Sequence, residues 1–152
     1  MQEVAMAEVR IYTIGFGRKN AEGFFGLLRD AGVRRIVDVR LHNTSQLAGF
    51  TKRDDLAYFL REIVHAGYVH VPELTPTAEL LVGYKKLQGS WDDYARKFNA
   101  LPARRGVEAT VMRDILHEGC LLCSEPTAAQ CHRRLVAEYF RDAWRDVEVI
   151  HL

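Results

Sequence analysis

The sequence predicts a single-domain α/β fold: a mostly parallel sheet of about five strands, helices on both faces, and a helical insertion before the fourth strand. Three observations carry this. Strand-like runs alternate with amphipathic helical segments along the whole chain, the pattern of a parallel sheet covered on both sides. The 152 residues, 48% hydrophobic and 27% charged, match a globular domain large enough for one core. No repeat, low-complexity tract or linker divides the chain. The domain is expected to span 9–152, after a ragged start over 1–8 in which Met6 is an alternative initiator.

Val9 to Ile14 reads as the first strand, ending at Gly15. Asn20 caps a helix over 21–31 with Phe24, Phe25, Leu28 and Ala31 on one face, and Gly32 stops it. Arg35 to Val39 is the second strand and ends in Arg40. A polar loop over 41–51 leads to a helix that begins at Thr51, carries Leu56, Phe59, Leu60, Ile63 and Val64 on one face, and stops at Gly67. Tyr68 to Val71 is the third strand, closed by Pro72. The stretch 73–89 reads as a loop or irregular insertion, and 73–105 as a small cap or flap. Ser90 with Asp93 starts a helix with Trp91, Tyr94, Phe98 and Leu101 on its apolar side and Pro102 at its end. A further helix over 108–117 ends at Gly119. Residues 120–123 form the fourth strand. Thr127 with Gln130 matches a capping box for a last helix over 128–144. Val147 to His151 closes the sheet.

A formal net charge of +1 argues neither for nor against nucleic acid as a partner. No apolar run approaches the roughly 20 residues of a membrane helix, and no signal peptide is apparent. Three cysteines without an export signal point to the cytoplasm and to free thiols. The oligomeric state is not legible.

In a parallel sheet all strand carboxyl ends lie along one edge, where ligands bind. That rule gathers four distant pieces of sequence. Gly15 and Gly17 after the first strand allow close backbone approach and amides aimed at an anion, although the plain alternative is an ordinary turn. Asp38 and Arg40 at the end of the second strand point the same way. They form either a structural bridge or an anion grip. Asn43 and Ser45 follow as neutral donors, and Glu73 follows the third strand.

The densest piece is Leu121 to Pro126 with Cys131-His132-Arg133. His132 falls in the helix stripe of Ala128, Leu135, Val136, Tyr139 and Ala143, so it is expected to face the sheet. It should be neutral near a helix N-terminus. Arg133 is expected to be turned about 100° away from that stripe. Cys123, Glu125 and His132 are the catalytic candidates, as nucleophile or orienter and as proton carriers. The binding candidates are Gly15, Gly17, Asp38, Arg40, Asn43, Ser45, Glu73 and Arg133. Cys120, at the start of a buried strand, reads as a packing residue. A divalent metal is the less favoured reading, because no second Cys/His cluster completes a site with Cys123, Cys131 and His132.

Together, Thr13-Ile14-Gly15, Val37-Asp38-Val39-Arg40 with Ser45 and Phe50, Pro72-Glu73-Leu74, Leu122-Cys123-Ser124-Glu125 and Cys131-His132-Arg133 resemble the family of the domain of unknown function 488, from about residue 10 to the C-terminus. The family's common Gly-His-Ser after the first strand is Gly15-Phe16-Gly17 here. Its frequent Pro-x-Ser-Arg after Asp-Val-Arg is replaced by Leu41 to Gln46. The resemblance implies a compact α/β domain and supplies no reaction.

Three readings follow. The first is an enzyme that binds an anionic, phosphate-bearing or nucleotide-like ligand at the sheet edge and catalyses hydrolysis or group transfer. The second is a non-catalytic nucleotide or nucleic-acid binding module, with Phe16, Phe50 and Tyr84 for stacking. The third is a buried network of Asp38, Arg40, Glu125, His132 and Arg133 that only fixes the fold.

Overall fold

A computed structural model describes residues 8–44 and 49–152. The expected ragged start, apart from Glu8, and the expected donor Ser45 lie outside the described residues. The elements run β1 Val9–Gly15, α1 Ala21–Ala31, β2 Arg35–Asp38, α2 Arg53–Phe59, β3 Gly67–His70, α3 Ala78–Leu81, α4 Trp91–Arg105, α5 Val107–Thr110, α6 Arg113–Leu116, β4 Gly119–Cys123, α7 His132–Trp144 and β5 Val147–His151. The five strands form one parallel sheet in the order β3-β2-β4-β1-β5. No helix among the described residues is long and apolar enough to cross a membrane.

Side-chain alternation along each strand sorts the core into two layers. On one face Tyr12, Ile14, Ile36, Cys120 and Leu122 meet Phe24, Phe25 and Leu28 of α1 and Leu56 of α2. On the other, Ile11, Val37 and Leu121 meet Phe98 of α4 and Val136, Ala137 and Phe140 of α7. Several of these residues are completely buried. Each large apolar side chain so buried contributes about 1.5–3 kcal/mol.

Where the local signals are strong, the expected elements stand. Asn20 Oδ1 accepts from Gly23 N, and Gly32 adopts φ 74° to close α1. Ser90 Oγ accepts from Asp93 N at the start of α4. Elsewhere the boundaries moved. Thr51 does not open a helix. Its carbonyl accepts from Arg40 Nη2, it ends a tight turn over Gly49–Thr51, and α2 begins at Arg53. That helix widens over Leu60–Val64 and stops at His65 with φ 59°, which leaves Gly67 free to start β3.

Within the stretch 73–89, expected to be irregular, residues 78–86 are helical. Thr77 Oγ1 accepts from Leu80 N, and α3 continues as a wider helical turn over Val82–Lys86. Pro102 does not end α4. The helix runs on to Gly106, which supplies the left-handed residue at φ 64°. The single helix expected over 108–117 is two short ones, because Val111 is extended at φ −85°, ψ 121°.

The largest shift is at the last helix. Thr127 and Gln130 form no capping box, and α7 starts at His132 with Cys131 as its N-cap. Before it, the chain is pressed onto β1. Phe16 N donates to Cys123 O at 3.2 Å and Gly17 N to Ser124 O at 2.9 Å. The buried stripe of α7 is Arg133, Val136, Ala137 and Phe140 with Leu135, while Ala143 is exposed. Arg133 is thus not turned away. It faces the sheet.

Candidate functional site

The chain leaving β2 turns outward to β3 over one face, and the chain leaving β4 crosses to β5 over the other. β2 and β4 are neighbours, so their connections diverge and leave a crevice at their carboxyl ends, the usual ligand position in such sheets. A cleft of about 420 Å³ occupies this place, with Arg40, Leu41 and His42 from one strand end and Cys123, Ser124 and Glu125 from the other. That volume lies in the range of small-molecule sites, about 300–1,000 Å³.

The β2 side is built on a buried ion pair. Arg40 Nε and Nη2 each donate to the Asp38 carboxylate at 2.9 Å, and Nη2 also donates to Thr51 O at 2.8 Å. Asp38 accepts as well from Tyr68 Oη at 2.5 Å, and Asn43 Nδ2 reaches that hydroxyl at 3.4 Å. Burial and the Asp38 carboxylate push the Tyr68 phenol up, so it stays a donor. Arg40 Nη1 makes no hydrogen bond among the described residues. The guanidinium lies over the Phe16 ring at 5.7 Å, and both residues line the cleft. Asp38 therefore holds Arg40, and Asn43 touches this network only through the Tyr68 hydroxyl.

On the β4 side the two glycines serve close packing. A Cβ at Gly15 would sit 1.5 Å from Glu125 O, and one at Gly17 2.6 Å from Ser124 O. The Phe16 and Gly17 amides are taken by backbone carbonyls. The expected anion cradle of Gly15 and Gly17 is thus corrected to a backbone contact that sets the loop after β4.

His132 opens α7 and donates from Nε2 to Val39 O at 2.7 Å. A carbonyl can only accept, so the proton sits on Nε2 and Nδ1 carries the lone pair. Burial pulls the His132 pKa down to about 4, against the smaller opposing effect of Val39 O. The ring is neutral, as expected. It is also a weak base.

The sulfurs of Cys123 and Cys131 lie in contact with one another, while Cys120 is a separate, buried free thiol. Burial pushes the Cys120 thiol up, in keeping with a packing role. Arg133 is fully buried beneath the cleft and is not among its lining residues.

The outer wall comes from the segment expected to be irregular. Lys85 pairs with the Glu125 carboxylate, and Tyr84 Oη donates to Gln130 Oε1 at 3.4 Å. Tyr84, Trp91 and Tyr94 pack ring on ring, with Trp91 and Tyr94 stacked at 5.4 Å. All three line the cleft, together with Lys85 and Lys86.

Of the sequence-derived candidates, Arg40, Cys123, Glu125 and His132 meet in one cleft. Gly15, Gly17, Asp38, Asn43 and Arg133 lie behind its walls. Glu73 does not join them; it is exposed, and its carbonyl accepts from Arg105 Nη1 at 2.9 Å. Of the proposed stacking residues, Phe16 and Tyr84 line the cleft, whereas Phe50 packs on Phe24 and Phe25 in the core. Sequence reasoning missed Lys85 and the placement of Trp91 and Tyr94. The Thr77 cap followed by Leu80, Leu81 and Tyr84 at helical spacing was the signal for that wall. Among the described residues no group of three or more His, Cys, Asp or Glu is placed to hold a metal.

These features define a parallel α/β domain with a cationic, aromatic-walled cleft at its switch point. The chain belongs to the family described as domain of unknown function DUF488, whose model matches residues 20–140. No curated protein and no solved structure matches it.

Proposed function

We propose that the cleft binds a small anion bearing a planar ring, of the nucleotide class, and that the protein hydrolyses it or transfers a group from it. The observation that carries this is one cleft joining an aromatic wall (Tyr84, Trp91, Tyr94) to cations, Arg40 from the end of β2 and Lys85 and Lys86 from the helical turn after α3. Aromatic faces stack on any base, worth about 1–3 kcal/mol per base. A guanidinium held by Asp38 keeps Nη1 oriented for a phosphate oxygen, because its other nitrogens are already fixed.

Glu125 is the one carboxylate among the described lining residues and is the proton carrier of this reading. The Glu125 carboxylate is freed when an anion takes the Lys85 ammonium. His132 accepts a hydrogen bond through Nδ1 and orients the ligand, since its low basicity suits an acceptor better than a general base. The non-catalytic binding module is favoured by one specific observation, the same Glu125–Lys85 pair, which ties up that carboxylate.

The test is a thermal-shift panel of nucleoside phosphates, ring-free sugar phosphates, short oligonucleotides and divalent metals, on wild type, Tyr84→Ala and Lys86→Glu. A native-state ligand at 100 times its Kd stabilises by about 2.7 kcal/mol. The expected result is a shift with nucleotides that exceeds that with sugar phosphates and shrinks in both variants. Equal shifts in wild type and both variants, or none from any nucleotide, would overturn it.

A further inference from the structure

Arg133 is fully buried, yet every group it bonds is formally neutral. Nε donates to Thr13 Oγ1 at 3.3 Å, and Nη1 to Cys123 Sγ at 2.9 Å and Glu125 O at 2.8 Å. Nη2 has no partner among the described residues. The nearby Glu125 carboxylate is engaged by Lys85 instead. A buried cation without an anion is strongly unfavourable. Of the three groups Arg133 touches, only Cys123 can become an anion, and it does so when its sulfur is reduced and ionised. The second sulfur, on Cys131, lies in contact with it, and both cysteines line the cleft. A thiolate beside a guanidinium, with a second thiol in reach, is an arrangement for two-electron sulfur chemistry.

We propose that Cys123 and Cys131 are a redox-active pair that reduces small hydroperoxides, with Cys123 as the attacking thiolate, Arg133 as its counter-ion and Cys131 as the resolving thiol. The sulfur of Cys123 attacks one peroxide oxygen. The O–O bond breaks, and the departing oxygen takes a proton and leaves as alcohol or water. Cys123 is now a sulfenic acid. The Cys131 thiol attacks its sulfur, the S–S bond forms, and the hydroxyl leaves as water with the Cys131 proton. Two thiols have lost two electrons and the peroxide has gained them. An external dithiol returns the pair to the reduced state by exchange. Both residues are only 2–3% exposed, which restricts the oxidant to a small molecule entering through the cleft. The proposal uses the cleft as a route and does not depend on nucleotide binding.

The test uses the full chain, reduced and then given one equivalent of hydrogen peroxide, followed by peptide mapping. The expected product is a Cys123–Cys131 link with Cys120 still free. In Cys131→Ser the sulfenic acid persists, and a sulfenate-specific dione is expected to label Cys123. Full ionisation of a group otherwise a few per cent thiolate at pH 7, offset by lower intrinsic nucleophilicity, gives an oxidation rate about tenfold above free cysteine. Arg133→Lys is expected to keep most of that gain and Arg133→Gln to lose it. Should Arg133→Gln fail to fold, the pH profile of Cys123 alkylation in the reduced wild type decides. Reaction already complete near neutral pH supports the thiolate, and an onset only near the ordinary thiol value of about 8.5 overturns it. Thiols left intact by peroxide, or label on Cys131 or Cys120 rather than Cys123, also overturn it.

Discussion

Asp38 is completely buried and holds Arg40 from two sides, with Tyr68 on the same carboxylate. Asp38→Ala strands a buried guanidinium and is expected to cost about 3–5 kcal/mol, read as a fall in the urea midpoint. Tyr68→Phe removes one donor to that charge and should cost less, about 1–3 kcal/mol. The pair itself was legible, because alternation along a strand puts residues 38 and 40 on one side. Tyr68 was not, because its partner lies 30 positions away and the pairing of β2 with β3 brings them together.

His132 gives a pH prediction at the same scale. Its folded pKa near 4 lies below the unfolded value of about 6.5, so the unfolded chain binds the proton more readily between them. Stability from this group is complete above about pH 6.5 and is lost as the pH falls towards 4. The full loss is on the order of 3 kcal/mol. His132→Gln should flatten that part of the acid limb in denaturation midpoints measured at several pH values. An unchanged limb would mean that the ring is not held neutral.

At the scale of elements, the loop after β4 is set by its contact with β1. Gly15→Ala would drive a Cβ into Glu125 O, and neither partner is a flexible side-chain tip. Loss of several kcal/mol, or of soluble folded protein, is expected on the scale of other disruptive changes at packed sites. Gly83 in the helical turn after α3 is the contrast. Nothing lies within 4 Å of its added Cβ, so Gly83→Ala should raise stability by about 0.5–1 kcal/mol. Opposite signs for the two substitutions in one thermal melt check both statements.

The strand ends were legible at this scale because glycine, arginine and cysteine punctuate apolar runs. The start of α7 was not. A local capping signal at Thr127 lost to tertiary contacts that hold Ser124 and Glu125 against the first strand turn, and Arg133 was drawn inward with them. The segment over 73–89 was misread for a related reason. Its apolar face is short and only partly buried against the core, with Leu81 and Tyr84 also lining the cleft.

For the whole molecule, the parallel sheet and its two covered faces follow from alternation of element types, but the strand order does not. The order β3-β2-β4-β1-β5 makes β2 and β4 neighbours with diverging connections, and that places Arg40 across from Glu125. Ligand binding in this crevice is what the proposed function requires. The most direct measurement is a backbone amide NMR titration of the full chain with nucleoside monophosphates. Saturable shifts clustered at Phe16, Arg40 to His42, Tyr84 to Lys86, Trp91 and Ser124 to Glu125 are predicted. Shifts absent at saturating ligand, or confined to residues away from the ends of β2 and β4, would contradict it.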